Sequence, residues 1–241
     1  MEQTKHRRKK RLWLIPVLIL VGLSVCVFLY TGRYYHADAT ARAALESDET
    51  VTVMHTDFGW LFDGPSERDA LIFYPGGKVE ETAYAPLLHL IAEQGTDVLL
   101  VKMPFRLAVL GGDKAGELIS RYDYSDGTIG GHSLGGVMAA NYAAEHPEQL
   151  KGVLLLAAYS TKNMDDSLSV LSVYGTEDGV LNMGNLEKGS TYLPADAAIV
   201  RIEGGNHAQF GNYGEQNGDG KASIPAEEQQ KQTVKLFMEN K

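Results

Sequence analysis

Six consecutive residues, Gly131-His132-Ser133-Leu134-Gly135-Gly136, carry the strongest chemical signal in the chain. They satisfy G-x-S-x-G, with a short β-branched stretch (Thr128-Ile129) before them and a helix-forming stretch (134–145) after. In that setting Ser133 sits on a sharp strand-to-helix turn that lifts its hydroxyl above a sheet. Flanking glycines let the backbone cross closely, and the helix N-terminus favours developing negative charge. A serine hydroxyl is a weak nucleophile until a histidine takes its proton and a carboxylate holds that imidazole. Two histidines follow Ser133. His146 ends the helix that Ser133 opens, roughly 19 Å along its axis, and reads as a C-terminal cap. His207 lies in Gly204-Gly205-Asn206-His207, after the last apolar strand, where a general base belongs. For the orienting acid, Asp178 in Gly175-Thr176-Glu177-Asp178-Gly179 is the first choice. Glu177 is its adjacent rival, and Asp165 and Asp166 are more distant ones. An oxyanion would need two amides, one from Leu134 and one from the Pro75-Gly76-Gly77-Lys78 loop, with Gly77 preferred and Lys78 the alternative.

The elements that must hold these residues follow from hydrophobic pattern. Residues 51–53 and 60–62 read as edge strands joined at Asp57-Phe58-Gly59. The continuous apolar runs at 70–74 and 98–101 read as strands buried on both faces, and the stretches 152–158, 168–174 and 197–203 complete the strands. Helices are expected over 81–93, 134–145 and 227–240. Strands alternating with helices predict an α/β fold, a mostly parallel sheet covered on both sides, with the site at the carboxyl ends of the strands. The interval Tyr159–Ser167 is too short for a lid domain, so the site should be open and shallow. Phe105, in Met103-Pro104-Phe105-Arg106, reads equally as a lining of the substrate pocket or as a hydrophobic plug. Glu215-x-Asn217-x-Asp219-Gly220 resembles a calcium loop, but its twelfth position is Ala226 rather than Glu, and a solvated turn is the better reading.

The 241 residues carry a net charge of −9, 44% hydrophobic residues and one cysteine. That excludes a disordered chain, a disulfide-stapled scaffold and a broad nucleic-acid surface. The charge is uneven: residues 1–11 carry +5, leaving −14 for the rest. Between the two lies Leu12–Tyr30, nineteen residues without a charge, about 28 Å of helix. It reads as an uncleaved transmembrane signal anchor with the basic tip in the cytoplasm and the body outside. Cleavage near Ala37-Asp38-Ala39 is the alternative, which would release the body. Cys26 follows Val25, which does not suit a lipoprotein anchor. The expected organisation is a tip (1–11), a span (12–30), a stalk (31–49) and a catalytic body (50–241).

FYPGGKVEETAYAPL, VLLVKMPF, GGHSLGG, YGTEDGV and GGNHAQFGNYG, taken in order, resemble the α/β-hydrolase superfamily, and more closely a compact lidless bacterial branch described as dienelactone-hydrolase-like. The resemblance covers roughly residues 51–241. It implies Ser133, Asp178 and His207 as the triad, with Gly77 and Leu134 forming the oxyanion hole. Dienelactone hydrolases use a cysteine where this chain has Ser133, so their ring-opening reaction does not transfer. The expected activity is that of a membrane-tethered serine hydrolase of the carboxylesterase type, acting outside the cytoplasm on a small or envelope-derived ester, thioester or amide. It would need no metal or organic cofactor. An acyltransferase using the same acyl-enzyme and a catalytically inactive binding module are the alternatives.

Overall fold

The computed structural model describes residues 13–23, 25, 31–65, 69–122, 124 and 126–241. The chain divides into two units, Met1–Tyr34 and Tyr35–Lys241. In the first, residues 13–23 and 25 are helical with exposed apolar side chains. The expected span therefore lies only partly within the description: Leu12, Ser24 and residues 26–30 are outside the described residues, as is the basic tip. Among the described residues no helix is long and apolar enough to cross a membrane.

The second unit is built on eight strands: β1 (Thr52–His55), β2 (Gly59–Asp63), β3 (Asp69–Tyr74), β4 (Asp97–Val101), β5 (Asp126–His132), β6 (Gly152–Leu156), β7 (Ser169–Gly175) and β8 (Ala198–Ile202). They form one sheet in the order β1-β2-β4-β3-β5-β6-β7-β8. β1 pairs antiparallel with β2 and β2 antiparallel with β4, and the contacts from β4 to β8 are parallel. The apolar runs bury both faces because side chains alternate along a strand. Leu71 and Phe73 enter one core, with Leu88, Leu100 and Phe237. Ala70, Ile72 and Tyr74 enter the other, with Leu99, Ile129 and Leu155. β5 lies at the centre, so whatever follows it emerges in the middle of the sheet's carboxyl edge.

Helices Ala85–Glu93, Leu134–Glu145 and Ala226–Glu239 lie where periodicity expects them, although Glu81–Tyr84 is a separate 3-10 turn. Two further helices, Lys114–Arg121 and Met183–Ser190, have no counterpart in the sequence reading. No helix interrupts residues 157–168 between β6 and β7, so no lid domain stands there. The stalk needs correction. Tyr35 bridges to Val79, the Ala37 amide donates to Glu80 Oε2 at 3.1 Å, and Ala37 and Ala41 are buried in the core. Residues 35–49 thus belong to the body, whose boundary is Tyr35 rather than Thr50.

Candidate active site

β5 ends at His132 and the next helix begins at Leu134, leaving Ser133 alone on the turn with φ 51° and ψ −122°. A non-glycine residue holds such a backbone only where its surroundings enforce it. The enforcement is visible. The Ser133 amide donates to the Leu156 carbonyl at 2.9 Å, and the Ser133 carbonyl accepts from the Val137 amide at 3.0 Å. The helix also crosses so close to β3 that a Cβ on Gly135 would fall 2.2 Å from the Tyr74 carbonyl oxygen, and one on Gly131 would fall 2.6 Å from it.

Asp178 follows β7 and His207 follows β8, and the structure joins them. His207 Nδ1 donates to Asp178 Oδ2 at 2.9 Å, with side chains only 2% and 1% exposed. The other carboxylate oxygen, Oδ1, accepts from the amides of Val180 (2.9 Å) and Leu181 (2.8 Å), so the acid is fixed before it meets the imidazole. With its proton on Nδ1, His207 presents Nε2 as an acceptor. That atom is buried and has no hydrogen-bond partner among the described residues, Ser133 Oγ included. Ser133 and His207 are linked through His132, whose ring lies 4.5 Å from that of His207. The competing residues are elsewhere. Glu177 is exposed, Asp165 and Asp166 are exposed before β7, and His146 closes the far end of the helix.

The loop after β3 separates its amides. Gly76 N–H donates to Tyr84 Oη at 3.0 Å and Lys78 N–H donates to the Arg106 carbonyl at 2.9 Å. Among the described residues the amides of Gly77 and Leu134 have no acceptor. The two residues adjoin, since a Cβ on Gly77 would fall 2.9 Å from Leu134 Cδ2. Two N–H groups without acceptors beside a strained serine are donors of the kind that receive developing negative charge.

Three contributors are not evident from sequence. Tyr84 is fully buried. Its hydroxyl accepts from Gly76 and donates to His132 Nδ1 at 2.8 Å, bracing the amide loop against the serine turn. Burial pushes its phenol well above the usual range, so it remains a donor. Burial, and then repulsion from His207, hold His132 well below 6.5, so its ring is neutral. The only sequence clue to either is His132's place inside the G-x-S-x-G motif. The third is Asp219. Its Oδ1 accepts from Gly179 (3.1 Å), His207 (3.2 Å) and Gly220 (2.9 Å), and its Oδ2 accepts from Ala208 (2.8 Å). It ties the acid loop to the histidine loop. With both oxygens so engaged, Asp219 is a backbone clamp rather than a calcium ligand.

Among the described residues one group has metal-ligand spacing, Asp48, His89 and Glu93. Asp48 accepts His89 Nε2 directly at 2.9 Å, as well as the amides of Thr50 and Val51, while His89 Nδ1 meets the Ala44 carbonyl at 3.0 Å. The bonds from Val51, Thr50 and His89 pull its carboxyl down to about 2. These contacts fasten residues 44–51 to the helix Ala85–Glu93.

The fold has many relatives. A hydrolase described as CIB-like from Thermoplasma acidophilum superposes with a TM-score of 0.58 at 13% identity, covering 78% of this chain and 99% of its own. Est1E from Butyrivibrio proteoclasticus gives 0.53 at 15% identity, covering 80% and 99%. A dienelactone hydrolase from Anabaena variabilis gives 0.53 at 14% identity, covering 80% and 98%. No curated protein matches the sequence. The model of the alpha/beta hydrolase family matches residues 70–231, and the chain belongs to that family.

Proposed function

We propose that this protein is a membrane-anchored serine hydrolase that cleaves a carboxylic ester, thioester or amide outside the cytoplasm. The observation that carries the reading is the buried 2.9 Å Asp178–His207 bond, which leaves His207 Nε2 as an acceptor beside the strained Ser133 turn. Ser133 Oγ attacks the carbonyl carbon while His207 Nε2 takes its proton. Asp178 holds the imidazole in the required tautomer and offsets its charge. The amides of Leu134 and Gly77 receive the oxyanion. His207 then protonates the leaving group, and a water activated by the same nitrogen releases the acyl group from Ser133. An ester is the favoured substrate because one structural relative, from Bacillus subtilis, is described as a naproxen esterase. The uncharged run 12–30 behind a +5 tip supports the anchor and the outward orientation of the body.

The test is labelling of the full chain with a fluorophosphonate. The wild type should label at Ser133, and Ser133→Ala should not. An unlabelled wild type, or equal labelling of the variant, sinks the proposal.

A further inference from the structure

Large apolar side chains are seldom left bare in the body of this protein. Among the described residues from Tyr35 onward, six are exposed: Met54, Phe105, Val109, Leu110, Met183 and Ile199. Phe105, Val109 and Leu110 follow β4 and Met183 follows the Asp178 loop after β7, all at the carboxyl edge of the sheet, where Ser133 also lies. Both groups lie close in the chain to residues bonded at the site. The carbonyl of Arg106, next to Phe105, accepts the Lys78 amide, one residue from Gly77. Met183 lies two residues beyond Leu181, whose amide binds Asp178.

Phe105 is the sharpest case. Its φ is 51°, a region costly for a bulky residue, and the residue is 61% exposed. The ring is therefore no plug. Strain without burial gives the fold nothing, whereas a ring held out next to Arg106, whose carbonyl holds the Lys78 amide, gives an apolar substrate a surface to cover. No lid helix in residues 157–168 shades it.

We propose that Phe105, Val109 and Leu110, which follow β4, and Met183, which follows β7, exposed at the carboxyl edge on either side of the strand that carries Ser133, form an apolar lip that binds the acyl chain of the substrate. The preferred ester then carries a chain of about eight carbons or more rather than an acetyl group. This specificity rests on the hydrolase reading above.

The experiment compares kcat/KM of the full chain on p-nitrophenyl acetate and p-nitrophenyl octanoate. The wild type should favour octanoate by about tenfold or more, and F105N/L110S should lower the octanoate-to-acetate ratio by about tenfold. Asn tolerates the left-handed backbone at position 105. Met54→Ser, which removes an exposed apolar side chain from the edge strand β1, should keep the ratio. A wild type that favours acetate, an unchanged ratio in F105N/L110S, or an equal shift in Met54→Ser overturns the lip. Octanoate titrated calorimetrically into Ser133→Ala reads the same surface without turnover. If neither ester is cleaved and fluorophosphonate does not label Ser133, the hydrolase reading fails. Octanoate binding that F105N/L110S abolishes still supports the lip, and binding it leaves unchanged refutes it.

Discussion

Replacing Asp219 with alanine withdraws one carboxylate from three amides in two loops of the site: Gly179 at 3.1 Å, His207 at 3.2 Å and Ala208 at 2.8 Å. A hydrogen bond to a charged acceptor contributes about 1.5–3 kcal/mol. Two of these three are long and the carboxylate is half-buried, so water recovers part of the loss. The expected destabilisation is roughly 2–4 kcal/mol. The larger effect should be on turnover. The His207 backbone is held by this bond while its ring is held by Asp178, and freeing the backbone lets Nε2 drift relative to Ser133. A displacement of about 1 Å costs on the order of a hundredfold in rate. Turnover of a p-nitrophenyl ester should therefore show kcat reduced by about 10–100-fold with KM nearly unchanged. Asp219→Asn separates positioning from general damage. Its amide oxygen can still accept from Gly179, His207 and Gly220, while its NH2 faces the Ala208 amide and loses that one bond. It should recover most of kcat and more than half of the stability, measured by urea unfolding followed through fluorescence. An Asp219→Ala protein as active and stable as the wild type, or an Asp219→Asn protein no better than Asp219→Ala, would refute the clamp.

Asp178→Asn should lower kcat by about 10⁴-fold through the wrong imidazole tautomer, whereas Glu177→Gln, an exposed change, should stay within about twofold. The reverse pattern moves the acid by one residue. Ser133→Gly should abolish turnover yet raise the unfolding free energy by about 1 kcal/mol, because glycine adopts φ 51° without the strain that Ser133 bears. A destabilised Ser133→Gly would show that the turn is not strained. His132 supplies a pH dependence. Its folded value lies below 6.5, so below that pH the unfolded chain binds the extra proton first. Stability is full above about pH 6.5 and falls as pH drops, by up to about 1.4 kcal/mol per unit from this group. In urea titrations at pH 7 and pH 5, His132→Gln should lose less stability on acidification than the wild type. An equal loss would remove His132 as a source.

The strands were legible because strands buried on both faces leave unbroken apolar runs, and β3, β4 and β6 each announce themselves that way. Ser133 stood out through its G-x-S-x-G motif rather than through an apolar run, and Asp178 and His207 through their places in the loops after β7 and β8. The helices Lys114–Arg121 and Met183–Ser190 were not, because each buries only two residues, Ala115 and Leu118 in one and Leu186 and Gly189 in the other. The docking of residues 35–49 escaped notice for a related reason. It relies on two small side chains, Ala37 and Ala41, and on backbone bonds that composition does not reveal. Asp219 looked like a turn or an ion ligand because its partners are amides, which every residue possesses.

The strain at the carboxyl edge is the least legible feature and the one that ties the site together. A sequence signals positive φ by glycine, and Gly59, Gly95, Gly204, Gly214 and Gly218 obey that rule. Five other residues break it: Lys78 after β3, Phe105 and Arg106 after β4, Ser133 after β5 and Ala157 after β6. All five lie past the ends of four adjacent strands, so the strain is concentrated where the substrate would bind and is borne by the well-packed sheet beneath. At such a position glycine is the less costly residue, so a retained side chain implies a use for it. Under the proposed function that use is the hydroxyl for Ser133 and an exposed apolar ring for Phe105. The same reasoning gives Lys78 a different role. Its strained backbone sends its own amide to Arg106, so the Gly77 amide, without an acceptor among the described residues, is the one left for the proposed oxyanion.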